Sequence, residues 1–424
     1  MCTTSMDKLG QMVYENEELI YWYKGAVAIP PLCMVDDVLA VQKCSKKSVE
    51  INAVTNAFIE LKKLTLSHKK CSKIHIGKES LACPQLKVHE DKMKESKQEK
   101  YLGDQLHSSG KIKATIDDRT AKGYGIVSDI LAILEEIPLG TYRLDIGLKL
   151  RQAKLINGIL FNSEGWHGIT DDDVRVLEKV DEALIRALIK GHAKVPIEFL
   201  YLETGCVPIR HILSSRRMLY LQTLLLRDDE EVTKRVLRQQ QQNPSPGDFS
   251  LLIKDDFRKM DMMYDENNII SVGIGFKKLI KDAIRITAFD ELLEMQKTHS
   301  KILAIKYEKF EVQPYLKSSM FTNDDVSLLA ALRSHTVRGI RCNFKNWYKP
   351  NIYCPLKCWS AESSPVEDTQ QHLLACTKLL SVHTNIVANK RIDHDDIYGD
   401  VASQKAAVTL FSKLIDLRNR LLEQ

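Results

Sequence analysis

Apolar positions change their period part-way along the chain, and the change divides it. From Tyr21 to Lys43 the residues read as two extended segments, the first broken by Pro30-Pro31, because proline fixes φ and gives up an amide donor. Asp36 and Asp37 fall where the chain direction would reverse, inside the otherwise apolar run 29-IPPLCMVDDVLAV-41. Residues 47–66 set Val49, Ala53, Ala57, Ile59 and Leu64 at near-helical spacing and predict an amphipathic helix. A short strand over 72–77, a solvated loop or frayed helix over 91–100 and a further strand over 100–106 follow.

After about residue 115 helical patterns dominate, over 122–137, 142–161, 171–190 and 211–227. Thr170 followed by Asp171, Asp172 and Asp173 places a cap and negative charge on an amino-terminal turn whose amides lack partners. The stretch 239-QQQQNPSPGD-248 predicts a linker, being polar and punctuated by proline and glycine. Helical material resumes through residue 338; a cysteine-bearing loop region and a final helix over 401–422 complete the pattern, with no internal repeat. The expected class is α+β, with a small hairpin-containing part at the amino end and a mainly α-helical remainder. The predicted divisions fall at 1–115, 116–240, 241–340 and 341–424.

Composition adds bounds. The 424 residues are 44% hydrophobic and 28% charged, an ordinary globular mixture. A net charge of +5 is compatible with a polyanionic partner without demanding one. Ten cysteines in a chain of this length suggest a reducing compartment rather than a disulfide framework. No apolar run approaches the roughly 18 residues of a membrane span, and 1-MCTTSMDKLG-10 lacks a signal-peptide layout. An intracellular protein of the nucleus and/or cytoplasm, with no membrane partner, is the expectation.

Two constellations carry candidate chemistry. Adjacent carboxylates at a hairpin tip, Asp36 and Asp37, can jointly bind Mg²⁺, which prefers oxygen ligands and keeps positions open for phosphates. The same pair also suits an ordinary polar turn. The second constellation, 354-CPLKC-358 with 372-HLLAC-376, has the spacing Cys-x₃-Cys-x₁₃-His-x₃-Cys. Two close pairs about a dozen residues apart suit a tetrahedral Zn²⁺ site, one pair from a turn and one from a helix. His372 and Cys376 stand four apart and so share a helix face. The competing reading makes the cysteines small core residues and His372 a bystander. In 338-RGIRCNFKNWYK-349, basic Arg338, Arg341 and Lys345 alternate with aromatic residues including Trp347. That pattern allows phosphate pairing with base stacking, and equally a partly buried loop. Arg216 and Arg217 could reach phosphates from a helix.

These segments resemble the reverse transcriptase of LINE-type non-LTR retrotransposons through most of the chain. The segment 34-MVDDV-38 resembles the family's paired-aspartate palm signature, and 62-KKLTLSHKKCSKIHIG-77 resembles the next palm motif with its lysine. Further on, 100-KYLGDQL-106 is similar to the Tyr-Leu-Gly segment that leads into the thumb, and 150-LRQAKLINGILFNSEGW-166 to the thumb's opening stretch. The segments 216–227 and 332–348 resemble later blocks of such reading frames. The resemblance implies a half-palm, a helical thumb and a CCHC zinc knuckle. It further implies Mg²⁺ on Asp36 and Asp37, Lys70 beside an incoming triphosphate, and an RNA template with a DNA primer as partners. The family's third metal-binding aspartate comes from an earlier strand, and only Asp7 precedes Asp36 here. The chain by itself is therefore expected to be an inactive carboxyl-terminal fragment of the RNA-directed DNA polymerase. The alternative is a non-enzymatic, retroelement-derived nucleic-acid-binding protein with a structural zinc site.

Overall fold

The computed structural model describes residues 9, 12–13, 16–34, 37–43, 45–76, 84–88, 91–137, 141–191, 193–344, 351–360, 363–379 and 392–423. Short strands come first: β1 (Tyr21–Tyr23), β2 (Val27–Ile29), β3 (Leu32–Met34) and β4 (Asp37–Leu39). They pair β1 with β2 and β3 with β4, both antiparallel. Each half of the predicted extended region is thus a hairpin, with Pro30 and Pro31 standing between the two where no ladder amide is needed. Helix α1 (Ser45–Leu61) follows and buries Ile51, Phe58 and Ile59.

The charged region after α1 forms strands. These are β5 (Ser72–Lys73), β6 (Lys87–Val88), β7 (Asp91–Lys92), β8 (Lys94–Glu95), β9 (Gln98–Tyr101) and β10 (Asp104–His107). Pairing is antiparallel for β6–β7 and β9–β10 and parallel for β5–β8. Two sequence expectations change here. Residues 91–100 are extended rather than helical or looped, because main-chain ladders leave little trace in polarity. Leu102 and Gly103 make the turn of a hairpin, both at positive φ, so 100–106 is a reversal and not one strand.

Helices α2 (Lys113–Glu135) and α3 (Thr141–Leu150) come next, and α3 continues into a π-helical stretch, Arg151–Ile156. Arg151, buried there, donates from Nε and from the guanidinium Nη2 to the two oxygens of Asp181, each at 2.6 Å. Helix α4 (Asp171–Leu188) opens as expected: Thr170 and Asp173 exchange side-chain and backbone hydrogen bonds in a capping box. The remaining helices are α5 (Ile197–Thr204), α6 (Ile209–Leu225), α7 (Val232–Gln242), α8 (Phe249–Lys259), α9 (Glu266–Val272), α10 (Gly275–Lys297), α11 (Pro314–Lys317), α12 (Asn323–Arg333), α13 (Gln370–Ala375) and α14 (Val401–Glu423). The whole is mixed α+β, with small strand pairs at the amino end followed by helices. No helix among the described residues is long and apolar enough to cross a membrane.

By contacts the chain forms two compact units. The first comprises residues 1–119, 160–174 and 213–281, and the second residues 120–159, 175–212 and 282–424. In the first, Leu9, Val13 and Leu19 pack with Ile51, Phe58 and Ile59. The predicted linker is an ordered joint of this unit. Gln239 is buried at the end of α7, and Lys24 Nζ reaches Asp248 Oδ2 at 2.6 Å and Ser245 Oγ at 2.9 Å. A polar composition hid a polar network. The second unit has a continuous apolar core from Leu144 through Phe199 and Leu329 to Leu414. Within that core lies a buried polar set, where Glu203 Oε1 accepts from Tyr307 at 2.6 Å and from Arg333 at 2.9 Å.

Candidate metal centre

The second constellation assembles. An isolated antiparallel bridge joins Tyr353 to Glu367, and the Cys354 amide donates to the Val366 carbonyl at 2.9 Å. From that bridge the chain turns tightly through residues 354–358. Lys357 takes φ of 46° and its amide returns to the Cys354 carbonyl at 3.2 Å, which brings Cys358 back beside Cys354. The other pair rides on α13. Thr369 caps it, its hydroxyl accepting from the His372 amide at 3.0 Å, so His372 sits in the first turn and Cys376 ends the helix. The Thr377 hydroxyl donates to the Cys358 carbonyl at 3.1 Å and closes the helix end onto the turn.

One ligand atom from each of Cys354, Cys358, His372 and Cys376 lies within 4.8 Å of the other three. Tetrahedral zinc with thiolate bonds of about 2.3 Å sets its ligand atoms roughly 3.8 Å apart, so the set closes on a metal with small adjustments. Cys354 and Cys376 are buried, and Cys358 Sγ stands 3.2 Å from His372 Nε2. A soft N/S donor set of this kind selects zinc over hard cations. Without metal, the Cys376 thiol hydrogen-bonds to Cys354, which lowers the Cys354 pKa and raises that of Cys376; burial raises Cys358. Metal binding replaces that shared proton arrangement with thiolates and releases protons.

Sequence reasoning missed the brace behind the site. Asp368, fully buried, accepts from the Arg341 amide at 2.7 Å and from the Arg418 guanidinium at 2.6 Å. Its backbone carbonyl takes the Cys342 amide at 3.0 Å. This carboxylate thus ties the loop that enters α13 to the final helix α14. The acid was visible next to Thr369; its partner, fifty positions later, had no local signal.

The other predicted residues lie elsewhere. Asp37 is exposed at the first position of β4, paired with Met34, while Asp36 lies outside the described residues. Among the described residues, Cys354, Cys358, His372 and Cys376 form the one group of three or more metal-capable side chains, so no acidic set gathers at Asp37. The Tyr101 hydroxyl donates to the Leu32 carbonyl of β3 at 3.3 Å, and burial, then the Asp37 charge, raise its pKa. Lys70 is exposed in the turn from Ser67 to Cys71. Nearby Lys73 is buried, with Nζ 2.6 Å from the Pro84 carbonyl and 3.2 Å from Glu95. Arg217 is buried, donating to both oxygens of Asp256 at 2.7 Å. Arg216 is half-buried, bonded to the Leu160 carbonyl. Arg338 is exposed and Arg341 half-buried; Lys345 and Trp347 lie outside the described residues.

No protein-family model matches this chain, and comparison with curated proteins and with solved structures finds no match to either.

Proposed function

We propose that the chain is the carboxyl-terminal part of the reverse transcriptase of a LINE-type non-LTR retrotransposon. Residues 1–115 supply part of the palm, the helices after them a thumb, and Cys354, Cys358, His372 and Cys376 a zinc-knuckle-like element that engages nucleic acid. What supports this reading is the meeting of two segments on which the resemblance rests. The Tyr101 of the Tyr-Leu-Gly segment bonds the strand that leads to the paired aspartates, at 3.3 Å, although 69 positions separate the two residues.

In a complete polymerase of this kind, Asp36 and Asp37 would share Mg²⁺ with a third carboxylate, and Lys70 would stabilise triphosphate charge. In-line phosphoryl transfer needs both ions held in place. Among the described residues the metal-capable group is Cys354, Cys358, His372 and Cys376, and that favours a second reading for the chain alone: a non-enzymatic, nucleic-acid-binding protein with a structural zinc.

A DNA primer annealed to an RNA template tests both. The zinc-loaded chain should bind the hybrid and show no extension with Mg²⁺ or Mn²⁺. Exposed Arg338 and half-buried Arg341 are the phosphate contacts, so the Arg338→Ala/Arg341→Ala variant should weaken binding about tenfold at low salt, with a shallower salt dependence. Extension abolished by Asp36→Ala would contradict the inactive-fragment reading. Absence of any hybrid binding would remove both.

A further inference from the structure

The first unit carries an aliphatic and basic surface that none of the chemistry above uses. It is the α9–α10 corner. Ile269, Phe276 and Ile280 are buried and anchor the corner, and Gln222 Nε2 donates to the Ile269 and Gly273 carbonyls at 3.1 and 2.8 Å. Gly273 turns the chain at φ of 55°, where it has no Cβ to strain. On this held turn Ile274 is 98% exposed, and Ile270 and Leu279 are exposed beside it in sequence.

A single exposed aliphatic is ordinary, but exposed Ile270, Ile274 and Leu279 within ten positions of a basic run combine two features of a contact surface. The charges around them indicate the partner. Residues 267–285 hold Lys277, Lys278, Lys281 and Arg285 against one carboxylate, exposed Asp282, which leaves the stretch basic. All three lysines are exposed, and none is in an ion pair among the described residues. The acids before them are spoken for: Asp265 caps α9, and Glu266 is paired with Arg238 at 2.5 Å.

A second copy of the chain would bring like charges together, which opposes self-association. A single-stranded nucleic acid would match the charge, but stacking needs aromatic faces, and the corner's Phe276 is buried. An anionic bilayer offers both complements, negative headgroups for the lysines and acyl chains for the isoleucine and leucine. From this charge and apolar pattern we infer that the α9–α10 corner docks on an anionic lipid surface, with Ile274 entering the headgroup–acyl boundary and Lys277, Lys278 and Lys281 on the headgroups. Such docking is peripheral and needs no spanning helix. It departs from the sequence expectation of no membrane partner and stands independently of the polymerase reading.

Co-sedimentation of the full, zinc-loaded chain with phosphatidylcholine vesicles containing about one-third phosphatidylserine tests it. The chain should pellet with these vesicles and not with pure phosphatidylcholine. Ile274→Asp should weaken binding about tenfold, and Lys277→Gln/Lys278→Gln/Lys281→Gln about a hundredfold at low salt. Both variants alter exposed side chains only, so circular dichroism and the unfolding midpoint should match the unsubstituted chain. Equal pelleting with both vesicle types, or undiminished binding by Ile274→Asp, overturns the inference. So does loss of single-stranded oligonucleotide binding in the lysine variant when the unsubstituted chain ignores vesicles.

Discussion

Asp368 is fully buried, one position before the cap of α13. Its Oδ2 holds Arg418, which is itself buried and donates also to the Gly339 carbonyl at 2.7 Å. Removing one partner of a buried pair leaves the other charge without compensation, which costs about 3–5 kcal/mol. Asp368→Ala should therefore lower stability by about 3 kcal/mol in chemical denaturation of the zinc-loaded chain. Because the same residue sits one position before the cap of α13, zinc affinity should fall about tenfold or more. A loss under about 1 kcal/mol with unchanged zinc affinity would mean that Asp368 is no brace. At this scale the residues of the Cys3His cluster were legible and the brace behind them was not. His372 and Cys376 announce themselves by a four-residue interval, whereas Asp368 and Arg418 meet only once α14 packs. Arg217 is similar: its basic side chain suggested phosphate contact, and the buried Asp256 that it meets has no local signal.

Among elements, the helices were readable because burial imposes a 3.6-residue period that survives in sequence. Thr170 with Asp173 marked the start of α4 correctly for the same local reason. Short strands in the amino-terminal third were less readable: β5 to β10 are two to four residues long, too short for alternation to register. The 239–248 joint was read from composition, which does not reveal that Lys24 hooks Asp248. Gly205 offers a test of element geometry. It ends α5 at φ of 61°, and a Cβ there would lie 2.7 Å from the Glu311 backbone. That neighbour cannot retreat freely, because Thr204 bridges Val312 and the Gln313 amide bonds the Glu203 carbonyl at 2.8 Å. Gly205→Ala combines left-handed strain with a backbone clash and should cost roughly 2–4 kcal/mol, measured as a lower urea midpoint. An unchanged midpoint would contradict the close approach.

For the molecule as a whole, the candidate metal site matters because of where its residues sit in the second unit. Cys354, Cys376, Leu373 and Leu379 belong to the same apolar core as Phe411 and Leu414 of α14. A metal that closes the 354–376 segment thus stabilises part of the core, and not only a surface loop. Ligand linkage puts that stabilisation at about 4 kcal/mol when free zinc exceeds its Kd a thousandfold. The α+β class and the order of strand pairs then helices were legible from periodicity. The grouping into two discontinuous units was not, because it depends on which distant segments pack together.

The most direct measurement is metal content with its spectrum. Purified chain should carry about one zinc, and cobalt exchanged into it should give the intense visible bands of a tetrahedral, thiolate-rich site. Both should vanish in the Cys354→Ser/His372→Ala variant. An unsubstituted, reduced chain that binds neither zinc nor cobalt would contradict the metal centre on which this account rests.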